Sequence, residues 1–216
     1  KLRTILGLNS ALFDVKVIGV NVEGHEPPEG RQSFPVDWAE VDAGYFAAMG
    51  IPILRGRNFE STDVQGAPDV AIISQAMAER FWPGEDPIGR VLRRADGDLT
   101  VIGVAADTKV RTLGEAPRPF VYRPIAQAYS RVFFLVARTR ANPEPIAARA
   151  MATIREMEPE AVIFETKTME RHLAIMLLPA KLAAVAFSAF AVLALVLAIL
   201  GLYGIVSYAV ARRSRE

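Results

Sequence analysis

Up to about residue 168 the chain sets short apolar runs between polar breaks, and beyond Leu182 the polar positions vanish. Phe13–Val22 is rich in β-branched residues and alternates in places, so it reads as a strand. His25–Gly30 is a Pro-rich loop, and Val36–Val41 reads as a second strand. Asp42–Met49 reads as a short helix with Asp42 as its N-cap and Gly50 at its C-terminal stop. Val70–Ile73 is a short buried strand; Ser74 then caps a helix to about Phe81, which Trp82-Pro83-Gly84 ends. Val91–Arg94 and Leu99–Ala105 flank Asp96-Gly97, a strong hairpin signal. Pro119–Arg123 and Val132–Arg138 read as strands. Asn142-Pro143 places a cap before a proline at the first helical position, opening a helix to about Met157. Ala161–Thr166 follows as a strand, which completes a strand–helix–strand unit.

From Met169 the pattern turns helical. Leu173 and Ile175–Leu178 precede Pro179, which in a helix removes one hydrogen bond and favours a kink. The expectation is a juxtamembrane helix over 169–181, a kink, then a span over 182–211. Leu182–Ala211 holds no charged residue. As a helix it runs about 45 Å, longer than a hydrocarbon core of about 30 Å. Arg212, Arg213 and Arg215 crowd its C-terminal side, whereas Lys167, Arg171 and Lys181 are spread out on the other, with Glu165 and Glu170 among them. Cytoplasmic flanks collect Lys and Arg, so residues 1–180 are expected outside the cytoplasm and 212–216 inside. Ala184, Ser188, Ala191, Ala194, Ala198 and Gly201 recur every three or four residues, a spacing that lets another helix approach closely. Alanine is frequent throughout the segment, so composition alone also yields such a stripe.

Composition narrows the chemistry. The formal net charge is +1 and no basic stripe carries interleaved aromatics, which argues against nucleic acid as a partner. There is no cysteine, which excludes a disulfide scaffold, a thiolate metal site and a cysteine nucleophile. Residues 1–20 lack the apolar core and cleavage site of a signal peptide, so an exported domain here is expected to be part of a longer polypeptide.

Candidate catalytic residues are scarce. His25 and His172 stand far apart without ligands at helical spacing. Ser10, Ser33, Ser74 and Ser130 lack a nucleophile-elbow signature. No phosphate-cradling Gly-rich loop occurs, so ATP binding is not expected. Asp96-Gly97-Asp98 is accounted for by a turn, and Glu158-Pro159-Glu160 by a solvated helix end. No catalytic, cofactor or metal residue is assigned, and no enzyme activity or cofactor is expected.

One region is dense in Gly, Pro, Arg and aromatics. It runs from Tyr45-Phe46 through Met49-Gly50-Ile51-Pro52-Ile53-Leu54-Arg55-Gly56-Arg57-Asn58-Phe59, then Val70–Ser74 and Arg80-Phe81-Trp82-Pro83-Gly84 with Pro87-Ile88-Gly89-Arg90. Val101–Val104 and Pro119–Pro124 close it. Glycines and prolines fix tight turns, and aromatics fill the spaces between short strands; Phe81, Trp82 and Phe120 are expected in the core. The sequence of these motifs resembles the extracytoplasmic core domain of MacB-like, FtsX-like ABC transporter permeases, and looks like the large permeases of soil bacteria that often lack an ATPase in the same chain. The resemblance covers nearly the whole chain.

That resemblance implies an α+β fold. It comprises a porter-like strand–helix–strand part, returning at about 130–168, and an inserted mostly β part at about 40–125. Residues 1–168 would be an N-terminally truncated core domain, followed by the juxtamembrane helix, one transmembrane helix and the start of a cytoplasmic segment. It further implies a non-catalytic permease subunit, for efflux or mechanotransmission, multi-pass in a bacterial inner membrane. Its expected partners are the lipid bilayer, a separate cytoplasmic ATPase and other helices of the same permease, a homodimer included. A membrane-anchored sensor or binding domain is the alternative reading; an anchored hydrolase is disfavoured by the missing motifs.

Overall fold

The structure is a computed structural model that describes residues 4–7, 16–109, 114–128, 135–139, 142–160, 165–167 and 169–213. Two compact units divide at Met169/Glu170. The first holds two sheets. β1 (Thr4–Gly7), β9 (Leu135–Ala137) and β10 (Glu165–Lys167) form the smaller, in the order β10-β1-β9. β1 pairs antiparallel with both neighbours, so the strand–helix–strand unit read from sequence is split by a strand from far upstream. Its helix, α3 (Pro143–Met157), starts as expected: Asn142 accepts a hydrogen bond from the Glu144 N–H, with Pro143 in the first turn. Residues 132–134 and 161–164, which belong to the predicted flanking strands, lie outside the described residues, as does 13–15 of the first predicted strand.

The larger sheet contains β2 (Lys16–Val22), β3 (Phe34–Val41), β4 (Ile53–Gly56), β5 (Val70–Ser74), β6 (Val91–Arg93), β7 (Leu99–Ala105) and β8 (Phe120–Pro124). Its order is β4-β7-β5-β8-β3-β2-β6, and β6 also pairs with β7. That last pairing closes six strands into a barrel and leaves β4 as a flap on the second half of β7. The predicted hairpin is therefore the seam of the barrel. The sheet begins at Lys16, upstream of the expected start of the β-rich part near residue 40, because β2 pairs along β3 from Lys16↔Trp38 to Val20↔Phe34. β1 and β4 had no place in the sequence reading.

Alternation explains the packing. On β5, Ala71 and Ile73 face one apolar cluster, while Val70 and Ile72 face another. On β8, Val121 joins the first and Phe120 and Tyr122 the second. Both strands are buried throughout, which is why they read as continuous apolar runs. The first cluster fills the barrel with Val20, Val22, Phe34, Val36, Leu92, Leu99 and Val101. It is completed by α2 (Gln75–Phe81), which supplies Met77, Ala78 and Phe81, followed by Trp82. Ser74 caps α2 as predicted by accepting from the Met77 N–H. Outside the barrel wall, α1 (Tyr45–Met49) lays Phe46 against Phe59, Phe120 and Tyr122.

The start of α1 corrects the sequence reading. Gly44, not Asp42, is its N-cap, and no side chain caps it; Asp42 instead accepts the Tyr45 N–H through its carbonyl, in a turn. The stop is as expected. Gly50 is left-handed at φ 73°, and the Gly50 and Ile51 N–H groups return to the Ala47 and Phe46 carbonyls. One further glycine pair is dictated by close approach. β7 carries an extra residue where Ala71↔Val101 is followed by Ile72↔Gly103. A Cβ on Gly103 would lie 2.5 Å from the Arg57 carbonyl oxygen, and one on Gly56 2.2 Å from that of Ile102.

The segment after β4 is held by an ionic clasp. Arg57 donates both Nη atoms to Asp63 at 2.7 and 2.9 Å, and Asp63 also accepts the Glu60 N–H. Those bonds to the charged form, the Arg57 pair first, hold the Asp63 carboxyl below the usual carboxylate range against the opposing effect of burial.

The second unit lies within α4 (Met169–Arg213), a single helix that runs unbroken across Pro179 rather than as two elements. The residue 204–211 part of the predicted span is helical, and residues 214–216 lie outside the described residues.

Two outcomes test this packing. Trp82→Ala should destabilise the domain by about 3–5 kcal/mol, visible as a lowered melting temperature. Asp63→Asn should lower stability at neutral pH and flatten its acid limb. Because the folded-state pKa is depressed, the clasp's contribution is present above about pH 4 and is lost as pH falls through the folded value. Equilibrium denaturation from pH 2 to 7 reads both.

Candidate functional site

Of the residues weighed for chemistry, the structure describes Ser74, His25, Asp96 and Glu158 among others. Ser74 is buried and fully engaged: its Oγ accepts from the Met77 and Phe120 N–H groups and donates to the Arg118 carbonyl. His25 is exposed, with its ring edge-on to Phe81 at 5.4 Å. Asp96 sits in the hairpin connection, where Gly97 has φ 134°. Glu158 caps the end of α3. Ser10 and Ser130 lie outside the described residues, as does the His172 side chain. Among the described residues no cluster of three or more His, Asp or Glu is placed to hold a metal ion.

The family-like motif builds the wall packing. Tyr45, Phe46, Phe59, Phe120 and Tyr122 form one aromatic group, with ring centroids 4.6 to 6.1 Å apart. Burial pushes the Tyr45 phenol well above its usual range and that of Tyr122 up to about 12. Both stay neutral at physiological pH, and the Tyr122 hydroxyl lies 3.2 Å from that of Thr108. Phe81, Trp82 and Phe120 are core residues, as expected.

A polar group that sequence reasoning missed lies at one end of the barrel. By strand alternation Lys16 follows Ile18 and Val20, Trp38 and Glu40 follow Phe34 and Val36, and Arg123 follows Val121 onto the barrel side. Their contacts agree. Lys16 pairs with Glu40 at 3.2 Å, and Lys16 and Arg123 lie over the Trp38 ring at 5.4 and 5.3 Å. Arg123 Nη2 is 3.6 Å from Asp69, and Arg94 Nη2 is 2.6 Å from Asp96. Burial first, then the Arg123 charge, pulls the Arg94 pKa down. The available signal was polar residues continuing an apolar alternation to, and past, the ends of strands.

The remaining functional feature is α4. Lys181–Tyr203 is a 23-residue apolar stretch that is exposed along its length. Its length and composition suit a membrane span, which requires every backbone hydrogen bond to be made internally. Ser188, on the small-residue stripe, donates to the Ala184 carbonyl at 2.8 Å, so its hydroxyl is satisfied without a partner helix.

The MacB-like periplasmic core domain family matches residues 8–153. The macrolide export ATP-binding/permease protein MacB of Rhodospirillum rubrum is 33% identical over 89 residues, which is 41% of this chain and 14% of that protein. MacB of Mannheimia succiniciproducens is 26% identical over 105 residues, 48% of this chain and 16% of that protein. The chain thus spans only a small part of the relatives it matches. The periplasmic region of MacB from Actinobacillus actinomycetemcomitans superposes with a TM-score of 0.52 at 14% identity, over 77% of this chain and 70% of that one. The extracellular domain of the noncanonic ABC-type transporter YknZ from Gram-positive bacteria gives 0.52 at 15% identity, over 77% and 80%. These two share the mixed α/β fold. With the family matched across most of its length, this chain belongs to the MacB-like periplasmic core domain family, that of MacB-like, FtsX-like ABC transporter permeases.

Proposed function

We propose that this chain is the external domain and following span of a non-catalytic permease. It would serve an ABC-type transporter, for efflux, or a mechanotransmission complex, driven by a separate cytoplasmic ATPase. The observation that carries the reading is the family match over 8–153 followed, in the same chain, by the apolar stretch Lys181–Tyr203. In this reading residues 1–168 are the extracytoplasmic domain. The split strand–helix–strand sheet is its porter-like part and the barrel its insertion. The span is one of several in an inner-membrane protein, and the small-residue stripe is where other helices of the permease, or of a second copy, pack. The arginines at 212, 213 and 215 support a cytoplasmic C-terminal flank.

Transport driven from the cytoplasm needs a route for motion to the external domain. β10 ends at Lys167 and α4 starts at Met169, so the covalent route is a helix that continues past Pro179 into the span. A continuous helix transmits displacement as a semi-rigid lever, which a flexible joint would not. A Gly-Ser stretch inserted after Ala180 in the full protein should leave folding, membrane insertion and ATPase association intact and abolish transport. Transport at the normal rate would overturn the lever.

Orientation is tested separately. This chain contributes no cysteine of its own, so single cysteines are placed in a full protein cleared of any others. Glu29 is exposed and so takes the external reporter. In intact cells an impermeant thiol reagent should label Glu29→Cys and not Ser214→Cys; the reverse pattern would overturn the orientation.

A further inference from the structure

The barrel end holds an imbalance that packing does not explain. The Arg94 and Arg123 side chains are 2% and 8% exposed, yet their carboxylate partners lie nearer the solvent: Asp96 is 69% exposed and Asp69 35%. Arg94 Nη1 and Arg123 Nε are buried without a hydrogen-bond partner. An unpaired buried donor on a charged group costs free energy, and the like charge of Arg123 beside Arg94 adds to it. A fold that only needed a filled barrel end would be better served by apolar side chains.

Arg94 pairs with Asp96 and its Nε donates to the Gly97 carbonyl at 3.3 Å, all three residues belonging to the five-residue connection between β6 and β7, residues 94–98. Asp96 presents a carboxylate to Arg94 Nη2 at 2.6 Å, the geometry of a bound oxyanion. Were that one carboxylate withdrawn, Arg94 Nη2 would lose its charged partner while Arg123 would keep Trp38 and Asp69.

We propose that Arg94 and Arg123 form a binding site for a small oxyanion, a carboxylate or phosphate group, and that Asp96 occupies it as an exchangeable internal substitute. Guanidinium forks match both oxyanions bidentately, and the incoming group takes up the two donors that Asp96 and Asp69 leave unpaired. The Trp38 ring, stacked under Arg123, reports occupancy.

The test uses the full chain in nanodiscs of neutral lipid. Sodium phosphate and sodium acetate are titrated against sodium chloride at matched ionic strength, with Trp38 fluorescence and the melting temperature as readouts; Trp38→Phe assigns the fluorescence change. A saturable response to phosphate, to acetate or to both, absent in chloride, is expected, and the responding salt identifies the preferred oxyanion. Asp96→Asn should lower the half-saturating concentration about tenfold and Arg94→Gln should raise it about tenfold, each in a chain that still melts cooperatively. A structural ion pair would make both variants less stable and neither responsive. A response equal to that in chloride, or one that Asp96→Asn and Arg94→Gln leave unchanged, would overturn the site. Should Arg94→Gln fail to fold, the direction of the Asp96→Asn shift decides.

Discussion

Everything in the larger sheet depends on two adjacent strands being dry on both faces. β5 and β8 separate the barrel filling from the aromatic wall cluster, and neither cluster forms without them. Burying a strand on both sides commits every one of its side chains, so a register slip has no solvent face to hide on. The cap Ser74 ties this layer together, because one hydroxyl serves the start of α2, the first residue of β8 and the Arg118 carbonyl. Replacing it with a residue that lacks the hydroxyl would leave buried N–H groups unpaired at a strand and a helix at once.

Closure follows from a geometric accommodation. β7 serves β6 with its first residues and β4 with its last, and the extra residue at Ile102 lets the strand bend between the two tasks. The bend brings the backbone of Arg57 and Gly56 so close to that of Ile102 and Gly103 that no side chain fits at either glycine. The motif spacing Gly56-Arg57 and Val101–Val104 is thus a packing requirement, and the Arg57–Asp63 clasp starts from the same contact.

Much of this was legible where local chemistry decides. The Ser74 and Asn142 caps, the Gly50 stop, the Asp96-Gly97 turn and the buried run Val70–Ile73 each follow from residue type and near neighbours. What depends on distant partners was not. β1 is four residues whose strand identity comes from β9 and β10, and β4 is a flap defined only by β7. Asp42 has the side chain of a cap, but the chain turns at Gly44 first. The polar barrel end was hidden for the same reason. Arg94 follows β6 and Arg123 lies on β8, and only closure of the barrel makes them neighbours.

The split of the smaller sheet also sets an order of assembly. Leu6 pairs with Leu135 and Thr166, whereas the barrel draws its strands from the sequence between. Loop-closure entropy makes such distant pairings unfavourable until the intervening chain has been shortened. A barrel that condenses first shortens it, bringing the chain before β2 near the chain after β8. On that entropic ground nucleation is expected in the middle of the sequence, with the small sheet completing last by joining the two ends of an already folded insert. A slow late phase in refolding that reports on β1 and β10 alone is the kinetic signature of that arrangement.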